Sequence, residues 1–216
     1  YPEYTSSGYI MVLKHDSDGI SDEDMWKQLQ KEYKDKYDMS WIGQYGFNNT
    51  YALIIREEAA KKYNLTKTSQ LADVSDELVF GGNSDYIERK DGFHLLCDTY
   101  GLKFKDVKDI DIGLKYEALK KGDIDVSNGF TTDAQLSNDN VRVLEDDKHL
   151  QVNYFCSNVV RNDTLKSHPR LEEAIMKLDN SITDKEMASL NYKVEVEGKE
   201  DVQVAKDYLT EKGIIK

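Results

Sequence analysis

The chain has 216 residues, 39% of them apolar and 32% charged, with a net charge of −12. That length suits one large domain or two lobes of roughly 100 residues each, and the apolar share is enough for a packed core rather than a disordered chain. So acidic a surface disfavours binding to nucleic acid or to an anionic membrane, and it weakly favours cationic ligands by steering.

No run approaches the ~18 apolar residues of a membrane helix. The chain opens at Tyr1-Pro2-Glu3-Tyr4 without an initiator Met or a basic-then-apolar leader, and is read as a mature or truncated piece. Its two cysteines, Cys97 and Cys156, lie in apolar contexts and are expected to be buried free thiols.

In chain order, Ser21 caps a helix expected to run to about Tyr37, with Met25, Trp26, Leu29 and Tyr33 at helical spacing. An extended run follows at 39–42. Residues 50–55 are almost continuously apolar, as a buried parallel strand would be. A short helix is expected at 57–63, a turn at 69–71, a strand at 77–82 and a helix at 91–100 stopped by Gly101. Alternation at 109–113 predicts a strand, 114–121 a helix ended by Gly122, and 123–126 a strand leading into a loop at 127–132. Strands at 141–144 and 158–160 precede helices at 168–178, 183–190 and 201–212. Strands alternating with helices in this way predict an α/β protein with mainly parallel sheets.

Catalytic signatures are missing: there is no phosphate loop, GxGxxG, GxSxG or HExxH. Histidines 15, 94, 149 and 168 are scattered without ligand spacing and read as surface residues, and the acidic pair Asp146-Asp147 reads as a solvated turn. Neither a metal nor a cofactor is expected, and no residue is assigned a catalytic role. Tyrosine is the residue class that stands out, with 14 copies against two Trp and six Phe. Tyr33, Tyr63, Tyr116, Tyr192 and Tyr208 sit on helical patterns and read as packing residues. Tyr4, Tyr51, Phe130 and Tyr154 instead fall where strands meet loops. In open α/β folds ligands bind there, and ring faces attract cations.

Six segments in order resemble one family. Tyr1-Pro2-Glu3-Tyr4-Thr5-Ser6-Ser7 is similar to its Tyr-Pro-Glu-Tyr-Thr-Gly-Thr/Asp start, and Gly46-Phe47-Asn48-Asn49-Thr50-Tyr51-Ala52-Leu53 to its most specific run. Glu88-Arg89-Lys90-Asp91-Gly92, Gly122-Asp123-Ile124-Asp125-Val126 with Phe130-Thr131-Thr132-Asp133, Leu144-Glu145-Asp146-Asp147-Lys148, and Tyr154 in place of a Pro-Pro-Tyr run complete the series. The chain thus resembles the substrate-binding proteins of glycine betaine, carnitine and choline ABC importers.

The resemblance implies a two-lobed periplasmic-binding-protein-like (type II) fold, with lobe one at 1–48 plus 153–216, lobe two at 49–152, and the ligand cleft between them. It also implies that about 70 family residues precede the Tyr-Pro-Glu-Tyr segment, so the first lobe is expected to be incomplete here. The implied ligand is a small quaternary-ammonium compound such as choline, glycine betaine or carnitine. Tyr4, Tyr51, Phe130 and Tyr154 would surround its ammonium head, Asn49 would supply a polar contact, Arg89 would meet a ligand carboxylate or else an inter-lobe partner such as Asp85, and Ser7 would read the polar tail. The implied partner is an ABC permease at the outer face of the cell membrane, reached through a lipid anchor or a permease fusion. The alternative is a permease-fused or sensing domain for another betaine-like compound such as ergothioneine. Phe130 stands where the family has Tyr, Ser6 where it has Gly, and Val152-Asn153 where it has two prolines.

Overall fold

A computed structural model describes residues 1–17, 19–88, 92–137 and 140–215. Its elements begin with β1 (Pro2–Tyr4), a helical segment Ser7–Val12, α1 (Asp22–Tyr37), β2 (Met39–Asn48), β3 (Tyr51–Arg56) and α2 (Glu57–Tyr63). Next come β4 (Val79–Gly82), α3 (Ser84–Glu88), α4 (Phe93–Tyr100), β5 (Asp106–Asp109), α5 (Lys115–Lys121), β6 (Val126–Phe130) and β7 (Val141–Leu144). The chain then forms β8 (Phe155–Arg161), α6 (Asn162–Ser167), α7 (Leu171–Met176), α8 (Asp184–Glu195) and α9 (Asp201–Glu211). It divides into two compact units, Tyr1–Thr50 with Val152–Lys216, and Tyr51–Gln151.

The first unit holds a sheet of order β1-β8-β2 in which both pairings are antiparallel. α1 starts where the Ser21 side chain accepts from the Asp24 N–H, and its first turn carries Asp22, Glu23 and Asp24 against the positive helix end. Met25, Leu29 and Tyr33, four residues apart on one helix face, pack with Tyr9, Leu13, Trp41 and Val159 into this unit's core. Gly8 is required by this packing, because a Cβ there would lie 2.6 Å from Cζ2 of Trp41.

The outer edge of β2 is satisfied by the segment before α8. Asn180 N donates to Gln44 O (2.7 Å) and Ile182 N to Tyr45 O (2.9 Å). The carboxylates of Asp179 and Asp184 accept from Gln44 N (2.7 Å) and Asn48 N (2.6 Å). Gly46, with φ of +108°, lies in the irregular stretch of β2 between these contacts.

The second unit holds a five-stranded sheet of order β5-β4-β6-β3-β7. β4 pairs in parallel with β5 and β6, but β3 is antiparallel to both β6 and β7. The expectation of mainly parallel sheets is therefore corrected to mixed sheets. The apolar run at 50–55 reports burial rather than polarity: Leu53 and Ile55 join one core cluster and Ile54 the other, so β3 is covered on both faces.

Three boundaries also move. The strand expected at 109–113 lies at Asp106–Asp109, because the Asp111 side chain accepts from Gly113 N and its carbonyl from Leu114 N, turning the chain. The strand expected at 123–126 runs instead from Val126 to Phe130, after Asp125 has clamped Arg56 Nη2 (2.7 Å) and Val79 N (2.9 Å). The expected helix at 168–178 begins at Leu171, and a separate helix, α6, ends at Ser167, where His168 leaves the helical conformation that the following Pro169 disfavours.

Candidate functional site

In the first unit, Tyr4 ends β1 opposite Cys156 on β8. Asn49 brings two expected site residues together: its Nδ2 donates to Tyr4 Oη at 3.4 Å, and its backbone N–H donates to Tyr154 O at 3.0 Å. Burial raises the Tyr4 phenol above its ordinary range, Cys156 adds to the shift, and the Asn49 amide opposes it. Burial likewise pushes the Cys156 thiol up to about 11. Ser7 begins the helical segment Ser7–Val12 directly after Thr5 and Ser6, which are themselves helical. It therefore lies inside the helical stretch, not at its cap.

In the second unit, Tyr51 and Phe130 are direct partners in the β3–β6 register, and their rings stack with centroids 4.9 Å apart and planes 25° apart. Stacked so closely, they leave no room for a cation between the two rings. Tyr86, 5% exposed, stands 5.6 Å from the Tyr51 ring and backs it. The Phe130 backbone is held by Asp133, whose Oδ2 accepts from Phe130 N (3.1 Å), Tyr116 Oη (2.6 Å) and Lys115 Nζ (3.1 Å). Arg89 lies outside the described residues.

The six described site residues thus divide, with Tyr4, Ser7, Asn49 and Tyr154 in one unit and Tyr51 and Phe130 in the other. Sequence reasoning missed Tyr86, which follows the glycine-rich turn by four residues, and the anchoring role of Asp133. The latter had a signal, since an Asp three residues after a loop residue can accept that residue's N–H. Asp146 corrects the solvated-turn expectation: its carboxylate accepts from Leu150 N (3.1 Å), Gln151 N (2.7 Å) and the Tyr100 hydroxyl. Among the described residues no group of three His, Cys, Asp or Glu side chains could hold a metal ion, and no helix is long and apolar enough to cross a membrane.

Two α/β units joined by two chain passages, with aromatic side chains at the ends of their strands, suit the class of solute-binding proteins, and the comparison with known families places the chain there. Residues 1–211 match the family of substrate-binding domains of ABC-type glycine betaine transport systems, OpuAC, and the chain belongs to it. It is 36% identical over 214 residues, 99% of its length, to the ergothioneine transport permease/ergothioneine binding protein EgtU of Helicobacter pylori (strain G27), of which it covers 38%. With the carnitine transport binding protein OpuCC of Listeria monocytogenes it shares 36% identity, over 84% of this chain and 59% of that one. It thus spans between about two-fifths and three-fifths of the length of these curated relatives. A crystal structure of a glycine betaine/carnitine/choline ABC transporter protein superposes with a TM-score of 0.92 at 34% identity, over 99% of this chain and 78% of that one. Apo YehZ of Escherichia coli, at 24% identity and a TM-score of 0.84, shares the fold.

Proposed function

We propose that this chain captures a quaternary-ammonium solute outside the cytoplasmic membrane and delivers it to an ABC permease, without covalent chemistry. Tyr4, Tyr51, Phe130 and Tyr154 are taken as the rings that receive the ammonium head. A quaternary ammonium has no N–H to donate, so ring quadrupoles and dispersion must replace hydrogen bonds, each good contact contributing roughly 0.5–2 kcal/mol. The observation that carries the reading is that two of these aromatics have fixed surroundings: the Tyr4 hydroxyl accepts from Asn49 Nδ2, and Phe130, its backbone N–H bonded to Asp133, stacks its ring on Tyr51. Rings so held lose little entropy when a ligand arrives. Asn49 also supplies a polar group, Arg89 a carboxylate partner for betaine or carnitine, and Ser7 a contact to the ligand's tail. Choline, glycine betaine and carnitine are the ligands this reading favours. The relative named for carnitine supports it.

A second reading is favoured by one specific observation, the 36% identity to the ergothioneine permease and binding protein over nearly the whole chain. Ergothioneine also carries a trimethylammonium group and a carboxylate, so the same rings would serve it. That relative joins permease and binding protein in one name, which favours a permease fusion over a lipid anchor as the tether here. Sequence upstream of Tyr1 discriminates: a lipid-attachment cysteine means an anchored receptor, and a membrane-spanning stretch means a fusion.

The deciding experiment is calorimetry of the full-length protein against choline, glycine betaine, carnitine and ergothioneine. Tyr51→Ala and Tyr154→Ala are expected to weaken the bound ligand more than tenfold each, since losing one desolvated ring face removes about 1.4 kcal/mol or more. Parent-like affinity in both variants would sink the aromatic assignment.

A further inference from the structure

A cluster of hydrogen bonds joins the two stretches where the chain passes between its units, 48–50 and 152–154, and every member belongs to the first unit. Thr50 Oγ1 donates to Val152 O (2.7 Å), and Asn49 N to Tyr154 O (3.0 Å). Asn48 grips the opposite stretch twice, accepting from Tyr154 N (2.6 Å) through Oδ1 and donating to Asn153 Oδ1 (2.6 Å) through Nδ2. Asn153 is fixed in turn, its Nδ2 donating to Asp22 Oδ2 (2.8 Å) at the start of α1 and its carbonyl accepting from Ser6 Oγ (2.5 Å). Ser6 is fully buried, so this bond satisfies a hydroxyl that would otherwise be costly.

Ser6 and Asn153 are two of the positions at which this sequence departs from the family it resembles, and here they bond to one another. A proline at 153 would fix its own φ and hold the preceding residue extended. Asn153 does neither by covalent geometry, but its side chain ties the same backbone to Asn48 and to α1.

We propose that Asn153 is a positioning residue that sets the backbone of Tyr154 for ligand binding, a polar clasp in place of proline stiffness. The proposal rests on the reading of Tyr154 as a ligand-contacting ring. Removing the clasp takes the Asn153 acceptor away from Asn48 Nδ2 and lets residues 152–154 sample more conformations, so ligand binding must then select the competent one.

The test uses the full-length protein, Asn153→Ala and Asn153→Pro, with two readouts. Hydrogen exchange without ligand is expected to show Asn153→Ala losing protection at the Asn49 and Tyr154 amides, while α1 and β8 stay protected. Affinity for choline, glycine betaine, carnitine and ergothioneine is expected to fall about five- to tenfold in Asn153→Ala. It should return to within about twofold of the parent in Asn153→Pro, a rescue that a merely destabilising loss would not show. Parent-like exchange at both amides in Asn153→Ala, or affinity in Asn153→Pro as low as in Asn153→Ala, overturns the proposal. If no quaternary-ammonium compound binds the parent, the functional reading fails, and the exchange data still decide whether Asn153 holds Tyr154. Should Asn153→Ala fail to fold, Asp22→Ala takes its place, expected to loosen the same amides by removing the acceptor of Asn153 Nδ2; unchanged exchange there counts against the clasp.

Discussion

Residues at the proposed ring site are held by polar contacts to their neighbours Asn49 and Asp133. Asn49 touches Tyr4 and Tyr154 through different atoms, its side chain on the Tyr4 hydroxyl and its backbone N–H on the Tyr154 carbonyl, so one residue fixes one ring and the backbone that carries another. Ser7 differs, because it lies within a helical segment whose cap position, Ser6, makes no side-chain capping bond. A capping role for Ser7 is thereby removed, leaving its hydroxyl for the ligand's tail in our reading. A serine can donate or accept and so discriminates little, whereas an aspartate accepts from a hydroxyl, attracts a cation and repels a carboxylate. Ser7→Asp is expected to shift preference toward choline and away from glycine betaine by at least about fivefold, the scale of one charge-assisted hydrogen bond. Titrating both ligands into parent and variant checks this, and an unchanged ratio excludes Ser7 from the tail contact.

At the level of elements, the motifs that carry the family resemblance divide between binding and architecture. Asp125 locks the end of β3 to the start of β4 through Arg56 and Val79, and Asp146 closes the turn before the chain re-enters the first unit. The pairing of α8 with α9 shows how much one carboxylate can do. Glu186 completes a capping box with Thr183 and accepts from Lys212 Nζ at 2.5 Å, and the Lys212 ammonium, followed by the Thr183 N–H and hydroxyl, holds its carboxyl down to about 2. A depressed folded-state pKa means that the stabilisation is complete above the unfolded value of about 4.3 and is lost as pH falls toward 2. Melting temperature should therefore drop on acidification from pH 5 to pH 2.5 (about this window) more steeply in the parent than in Glu186→Gln. Parallel acid limbs would show that Glu186 contributes nothing through its charge. The capping box was readable in advance, since Thr183 and Glu186 are three residues apart. The Lys212 contact spans 26 residues and was not.

The whole molecule carries 12 more acidic than basic side chains. Such a field draws cations in and is screened by salt over about 10 Å at 0.1 M. Choline is a net cation and glycine betaine is net neutral, so their association rates should respond differently. Stopped-flow measurement is expected to show choline association slowing about threefold or more between ~0.01 M and ~0.5 M salt, with glycine betaine nearly unchanged. Equal salt dependence for the two would show that the net charge plays no part in capture.

What the amino-acid sequence determined by itself was everything written in local chemistry or in a shared set of motifs. Ser21 had to cap α1, Gly101 and Gly122 had to end their helices, and six ordered segments were enough to place the chain in its family. Tertiary structure alone decided which strands pair and in which sense. The apolar run of β3 looks the same whether its neighbours run with it or against it, and only the register with β6 and β7 makes it antiparallel and sets Tyr51 on Phe130. It also decided the clasp at Asn153, because Ser6, Asp22 and Asn48 lie more than 100 residues away along the chain. Hydrogen bonds over such separations leave no periodicity to read, since nothing in the spacing of two residues tells whether folding will bring them within 3 Å (about hydrogen-bond distance) of each other.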